Sequence, residues 1–573
     1  MLLVKITVVF QENLLSQILI KVLSTFSKVV GFRGKAPDGI VKGNALNEKG
    51  IVKGNALNEN EKEVKKLSRT KFVTKNISTA MFSKIIEQVL NFAVRTVFVF
   101  LMSVEYLGIN GLFVNILSFL SLAELGTGSA MLYLLYKPVA ENNIPQIQIY
   151  MHTYRNIYRI IGCVVLAIGL ALMPFLSFFI ADMPDIPESL EVIYLLYIVR
   201  TVSTYFFAYK QSVFLAYQQG YVVTLNNTLF TVIRSVLEIG ILYFSRNFML
   251  YLVISVIVNY AMNIRIFIKA DKCFPYLREK VNGHISVLEK QHIRKNIGAM
   301  FLHKVGLVVL NSSDNLILSK FIGIITVGIY SNYAIILTVV KTMLWTVFDA
   351  VVPSVGNLCA EKNNVQKYKV FRSVQFVNLW LSGFCAVSLG VLANPFITLW
   401  IGKDYLLSQN TVTVIIVSYY LQTNMRAIEM FRSATGLFYN DRYVPLIQCV
   451  INIVVSVIGV YFFGVAGIFI GTSLSILLTG FWVQPFMVFR HIFRKPLYLY
   501  FWQYLRCTII SVISFVGIQY LCRFLPDSGI IPFLIKILCC LVIPNGLFVA
   551  VFCRTEEFQF LTKKVRQIFP FVR

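Results

Sequence analysis

The chain has 573 residues, 57% hydrophobic and 14% charged, with a formal net charge of +26 at pH 7. Its mean hydropathy of +0.70 excludes a water-soluble globular domain and places the chain in a membrane. The positive balance follows membrane topology, as set out below, and calls for no nucleic-acid partner.

Residues 1–66 stand apart from the rest. After the broken apolar run MLLVKITVVFQENLLSQILIKVL, with no credible small-residue cleavage site, GIVKGNALNE at 39–48 recurs at 50–59 in a polar stretch lacking a helical apolar period. Two copies do not make a solenoid. The segment reads as an atypical N-terminal extension, disordered or reflecting a start assigned too far upstream.

Apolar stretches long enough to cross about 30 Å of hydrocarbon, roughly 20 residues each, follow at 77–104, 107–136, 157–181, 190–217, 221–245, 248–270, 298–320, 324–352, 371–396, 410–437, 444–464, 466–489, 502–523 and 530–553. They predict an all-α polytopic membrane protein of about fourteen transmembrane helices. The alternating strands of a membrane barrel are not visible.

Connections after even-numbered spans are basic, with Lys137, Arg155 and Arg159, then Lys269, Lys272 and Arg278, then Lys362, Lys367 and Lys369, then Arg490, Arg494 and Lys495. Connections after odd-numbered spans hold few cations, and ADMPDIPESLE at 181–191 has none. Positive charge is retained on the cytoplasmic side, so both termini are expected there. Anionic headgroups are a further partner for these cations.

Soluble-type chemistry finds little support. No GxxxxGK[ST] phosphate loop occurs, and GTG at 126–128 lacks the third glycine of a dinucleotide fingerprint and continues an apolar helix. His152, His284, His292, His303 and His491 show no metal-ligand spacing, and the ten cysteines imply no disulfide framework. We expect no enzyme activity, no cofactor, no metal and no nucleic acid.

Polarity inside the spans is the informative remainder. Lys84, Glu87, Gln88, Asn91 and Arg95 share a face of the first span; Asn226, Asn227, Thr231, Arg234 and Glu238 share one of the fifth. His303, Lys304, Asn311, Asp314 and Asn315 do so in the seventh, Thr338, Lys341, Thr342 and Asp349 in the eighth, and Gln422, Arg426, Glu429 and Ser433 in the tenth. One charge in mid-bilayer costs about 2.5–3.5 kcal/mol, so such faces should line one another or an aqueous cavity. A plainer account makes Lys84–Glu87, Arg234–Glu238 and Arg426–Glu429 self-neutralising pairs at helical spacing.

The chain also repeats weakly. YLGINGLFVNILSFL at 106–120 matches TVGIYSNYAIILTVV at 326–340, pairing Gly108 with Gly328 and Ile109 with Ile329. Each stretch opens the second helix of a six-helix half, so two pseudo-symmetric lobes are expected, with substrate bound between them.

These same residues carry a family resemblance. LGINGLFVNILSFLSLAELGTGSAMLYLLYKPVAENN at 107–143 resembles the signature of bacterial polysaccharide transporters in the multidrug/oligosaccharidyl-lipid/polysaccharide flippase superfamily. SSDNLILSKFIGIITVGIYSNYAIIL at 312–337, PSVGNL at 353–358, FITLWIGKDYLL at 396–407 and FRSATGLFYNDRYVP at 431–445 agree, and LSRTKFVTKNIS at 67–78 resembles the usual beginning of such proteins.

The resemblance implies an N-lobe over 67–270, a basic cytoplasmic linker over 271–297, a C-lobe over 298–490, and two further helices with a basic tail over 491–573. It implies a flippase in the bacterial cytoplasmic (inner) membrane that moves undecaprenyl-diphosphate-linked oligosaccharide repeat units to the outer leaflet. The products would be O-antigen, capsule or exopolysaccharide, with polysaccharide assembly proteins as candidate partners. We expect Arg95, Arg234, Lys341 and Arg426 to supply cations to the diphosphate and to acidic sugars, and Asn91, Asn226 and Asn311 to hydrogen-bond glycan. Asp314 and Glu124 are expected to couple a proton or sodium ion or to pair those cations. The alternatives are a cation-coupled drug antiporter of the same superfold, which should prefer acidic cavity residues, and a membrane polysaccharide polymerase or ligase, which should need a substantial outward domain.

Overall fold

Inside hydrocarbon a backbone must satisfy its own polar groups, which leaves helices as the solution for a chain of this pattern. The computed structural model describes residues 59–124, 127–279, 312–349, 364–435, 443–526 and 529–568, with isolated positions between 306 and 359. Among these residues every regular element is helical.

The first half comprises α1 (Glu59–Leu101), α2 (Val104–Leu120), α3 (Thr127–Glu141), α4 (Ile144–Leu172), α5 (Leu190–Phe207), the short α6 (Gln211–Ala216), α7 (Gly220–Ser245) and α8 (Phe248–Cys273). The second begins with a helical segment at 312–321 and continues through α9 (Ile324–Asp349), α10 (Asn364–Trp400), α11 (Gln409–Asn424), α12 (Arg426–Thr435), α13 (Val444–Phe463), α14 (Val465–Leu478) and α15 (Gly480–Val488). Helices α16 (Tyr498–Cys522) and α17 (Ile530–Phe552) then pack on α10, and α18 (Glu556–Ile568) closes the chain.

Ten of these helices or helix runs are long and apolar enough to cross a membrane, so the protein is a multi-pass membrane protein. The other expected crossings differ for local reasons. The first is the long α1, whose N-terminal part is charged. The second is interrupted by a 3-10 turn at Ser121–Glu124 that divides α2 from α3. The seventh lies largely outside the described residues. The tenth, expected as one helix over 410–437, breaks at Met425 between α11 and α12. The break is supplied with a donor: buried Asn378 of α10 gives its amide to the carbonyls of Thr423 at 3.2 Å and Asn424 at 2.9 Å. That satisfies backbone oxygens which lipid could not.

Helix starts are fixed by capping side chains. Asn143 accepts from Gln146 N, Ser189 from Val192 N, Asn247 from Leu250 N and Ser408 from Thr411 N. The first cap explains why α4 starts at Ile144 rather than near 157. Its polar first turns lie beyond the apolar window.

Each half builds its own core. In the first, α1 packs along α7, and α5 along α8; Phe113, Tyr194, Phe214 and Phe248 lie at its centre. In the second, α13 and α14 cross so closely that their contact is backbone on backbone. A Cβ on Gly459 would sit 2.7 Å from the Gly467 carbonyl oxygen, and one on Gly471 would sit 2.6 Å from Ser456 N. Small residues permit such approach between membrane helices. The single-residue connection between them is Gly464, at φ +56°, where only glycine avoids a penalty.

Candidate functional site

The two repeated stretches meet each other. Gly108 of α2 lies against the Ile324 carbonyl of α9, and Gly328 of α9 lies against the Val104 carbonyl of α2, where an added Cβ would be 2.6 Å from the oxygen. The contact is reciprocal, as expected for related halves around a pseudo-two-fold axis. It joins the lobes at the end of the bundle away from the basic connections.

Around that seam the lobes are bound by polar and aromatic contacts. Arg95 on α1 reaches across to α9 and donates to Asn332 Oδ1 from Nε at 3.0 Å and from Nη2 at 2.8 Å. Its Nη2 also bonds Ser331 Oγ, which in turn donates to the Gly328 carbonyl at 2.6 Å. Next to it on α1, Thr96 Oγ1 accepts from Trp400 Nε1 at 3.0 Å, and Phe92, about one turn earlier, stacks on the Trp400 ring with centroids 4.5 Å apart. Beside them, Ala181 N bonds the Ser319 carbonyl at 3.1 Å, and Lys320 Nζ sits 4.6 Å from the Phe178 ring.

Arg95 therefore bridges the lobes with neutral partners; among the described residues it forms no ion pair. Asn91 lies one turn before it on α1 and is half-buried. Deeper in the first lobe, Arg234 Nε is 3.6 Å from Glu238 on the next turn of α7. Tyr251 of α8 is within electrostatic reach of Glu238, Arg200, Arg234 and Arg95. Two guanidinium groups, those of Arg234 and Arg200, thus lie within electrostatic reach of one carboxylate.

In the second lobe the cations gather on an indole. Lys341 Nζ is 4.6 Å from the Trp345 ring and donates to Gln422 Oε1 of α11 at 2.7 Å. Arg426 of α12 lies 5.0 Å from the same ring. Arg426 forms ion pairs that Lys341 does not, bonding Asp349 and lying 3.1 Å from Glu429, a carboxylate that is also within electrostatic reach of Lys341. The break at Met425 places Arg426 at the first turn of a new helix, where it meets the end of α9.

The remaining expected site residues have partners inside their own lobe. Asp314 accepts from Thr472 Oγ1 of α14 at 3.1 and 3.3 Å; the Thr472 hydroxyl also accepts from Asn452 Nδ2 at 2.9 Å, and Asn452 Oδ1 accepts from Ser313 Oγ at 2.9 Å. The carboxylate thus sits where segment 312–321, α13 and α14 converge, without an ion-pair partner among the described residues. Glu124 accepts from the Tyr158 hydroxyl at 2.5 Å and ties the 3-10 turn to α4. Asn226 is buried and donates to the Met262 carbonyl at 3.2 Å, joining α7 to α8. Asn311 lies outside the described residues.

Several participants were absent from the expected set. Arg200 was detectable as a lone cation in the span LEVIYLLYIVRTVSTYFF. Ser331 and Asn332 lie within the repeat itself. Trp345, Asn452 and Thr472 gave no signal, since one aromatic or small polar residue in an apolar span is ordinary packing material.

The chain is similar to the lipid II flippase MurJ in an inward closed conformation, with a TM-score of 0.62 and 14% identity over 83% of this chain and 98% of that one. It has the fold of the MurJ and MATE transporters. An inward-facing multidrug resistance MATE family transporter of the MOP superfamily matches with TM-score 0.53 and 14% identity, over 70% of this chain and 98% of the other. The MATE transporter VcmN of Vibrio cholerae matches with TM-score 0.52 and 14% identity, over 75% and 99%. At these identities the likeness establishes the fold. No family model matches the sequence, and no curated protein matches it.

Proposed function

We propose that this protein is a flippase of the MOP superfamily that moves undecaprenyl-diphosphate-linked oligosaccharide repeat units from the cytoplasmic to the outer leaflet. It is a transporter by this reading, not an enzyme. The observation that carries the proposal is the state of Arg95 and Lys341. Both are cations within the membrane-spanning helices, and both are held by neutral side chains, Asn332 and Ser331 for one and Gln422 for the other. Neither forms an ion pair among the described residues; a charge without one is costly there, and a diphosphate supplies the anion. Arg234 and Arg426 already have carboxylate partners, so they act as a reserve that exchanges partners when the substrate enters.

The fold supports a lipid-linked substrate, since one of its neighbours is described as a lipid II flippase. If the basic connections are cytoplasmic, the Gly108–Gly328 seam closes the outer end, and rocking the lobes about it alternates access. The lipid tail remains in the bilayer while diphosphate and glycan cross between the lobes. Asp314, with Thr472 and Asn452 around it and no cation paired to it, is the group we assign to proton or sodium coupling.

Depleting the protein in its host should accumulate undecaprenyl-diphosphate-linked repeat units and reduce surface polysaccharide, with restoration by wild type but not by Arg95→Glu or Lys341→Glu. Full restoration by both charge-reversed variants would exclude this assignment of the anion site.

A further inference from the structure

A cavity lies within the first lobe, at the basic end, on helices other than those that carry the inter-lobe cations. It encloses ≈ 1070 Å³ between the first half of α4, the end of α5 with the turn that follows, and the end of α8 with the turn Pro275–Arg278. Phe206, Phe207, Tyr260 and Phe267 form aromatic walls, and Arg155, Arg159, Lys210 and Arg278 bring cations against the carboxylates of Asp271 and Glu279.

The carboxylates are already engaged. Asp271 bonds buried Lys210 and lies 3.6 Å from Arg278 Nε. Glu279 accepts from Gln148 Nε2 at 2.8 Å. Lys210 is further fixed by the Phe267 ring, 3.5 Å from its Nζ. Arg155 and Arg159 are successive turns of the α4 face that lines the cavity, and neither forms an ion pair among the described residues. Arg155 Nε is buried without a hydrogen-bond partner.

Two permanently charged guanidinium groups facing a cavity of ligand size, beside a cation cluster that has consumed its own counter-ions, make an anion site. Planar N–H forks match the oxygens of a phosphate. Next to the lining residues in the chain are exposed apolar side chains: Ile160 follows Arg159 on α4 with Val164 one turn on, and Ile268 follows Phe267 on α8 with Ile264 one turn before. We propose that the cavity binds the phosphate group of an anionic membrane lipid, with Arg155 and Arg159 as its ligands and its acyl chains along these side chains. The Lys210–Asp271–Arg278 cluster holds the rim in place. The site stands independently of the transport reading, since none of the inter-lobe residues takes part.

Native mass spectrometry of the full-length protein, released from detergent after titration with phosphatidylglycerol, phosphatidylcholine or sodium phosphate, tests this. Wild type should retain one phosphatidylglycerol at least tenfold more tightly than phosphatidylcholine, and Arg155→Gln/Arg159→Gln should lose that preference. Should the double variant fail to fold, the single Arg159→Gln, at an exposed position, should reduce it at least threefold. Phosphate retained by wild type in place of phosphatidylglycerol, and lost in the variants, would keep the phosphate site but overturn the lipid as its source. Equal phosphatidylglycerol retention by wild type and variants would overturn the site.

Discussion

The Gly108–Gly328 seam makes a conformational prediction that requires no knowledge of the substrate. A methyl group on Gly328 would sit 2.6 Å from the Val104 carbonyl oxygen and 2.9 Å from its Cγ2, whereas ordinary contact begins near 3.4 Å. The helices must separate by about 0.8 Å, and overpacking of this kind costs about 1–3 kcal/mol. Because the clash lies between lobes, rocking them apart at this end relieves it. A bias of that size shifts the closed-to-open equilibrium about 5- to 150-fold. Gly328→Ala should therefore broaden and lengthen the distance between spin labels on exposed Ser103 and exposed Lys403, which lie at this end in opposite lobes. Gly240→Ala, where an added Cβ meets nothing within 4 Å, should leave it unchanged. A folded Gly328→Ala protein with the wild-type distance distribution would refute the claim that these glycines close the seam.

Other perturbations follow the same geometry. Asn332→Ala removes two charge-assisted hydrogen bonds from Arg95, each worth about 1.5–3 kcal/mol, and should open the same labelled pair at least as far. Trp345→Ala deprives Lys341 and Arg426 of a shared aromatic face, at about 0.5–2 kcal/mol per cation; it should raise the KM for a lipid-linked diphosphate several-fold, with Trp345→Phe recovering much of the loss. Gly467→Val inserts a side chain against the backbone of α13 and should lower the unfolding temperature in detergent by several degrees, measured by intrinsic fluorescence. Asp314→Asn should abolish any dependence of transport on an imposed ion gradient, while Thr472→Val, which removes its hydroxyl partner, should weaken that dependence without abolishing it.

Membrane class, helix order and the weak internal repeat are all legible in the residues, because hydrocarbon thickness imposes span length and insertion imposes charge asymmetry. The breaks are less so. Nothing in IIVSYYLQTNMRAIEMFRS announces an interruption at Met425, since the support comes from Asn378, far away in the chain. Helical phase identifies Arg95, Arg234, Lys341 and Arg426 as members of polar faces, but phase cannot say what each face meets. Arg234 and Arg426 find carboxylates on their own helices, as spacing alone suggests, whereas Arg95 finds an amide in the opposite lobe. Asn226 shows the converse limit, for its polarity serves the packing of α7 on α8. The repeat predicts related halves; that the repeated segments touch each other through their own glycines depends on how the lobes close.

The most direct test of a cationic passage for a lipid-linked anion is transport in proteoliposomes loaded symmetrically with fluorescent undecaprenyl-diphosphate oligosaccharide. Flipping is read as reporter made accessible to an external quencher over time. Wild type should translocate the lipid, Arg95→Ala and Lys341→Ala should lose most of that activity, and the same vesicles should show no gradient-driven movement of a cationic dye. Dye transport without lipid translocation would contradict the flippase assignment and make the protein a cation antiporter on this fold.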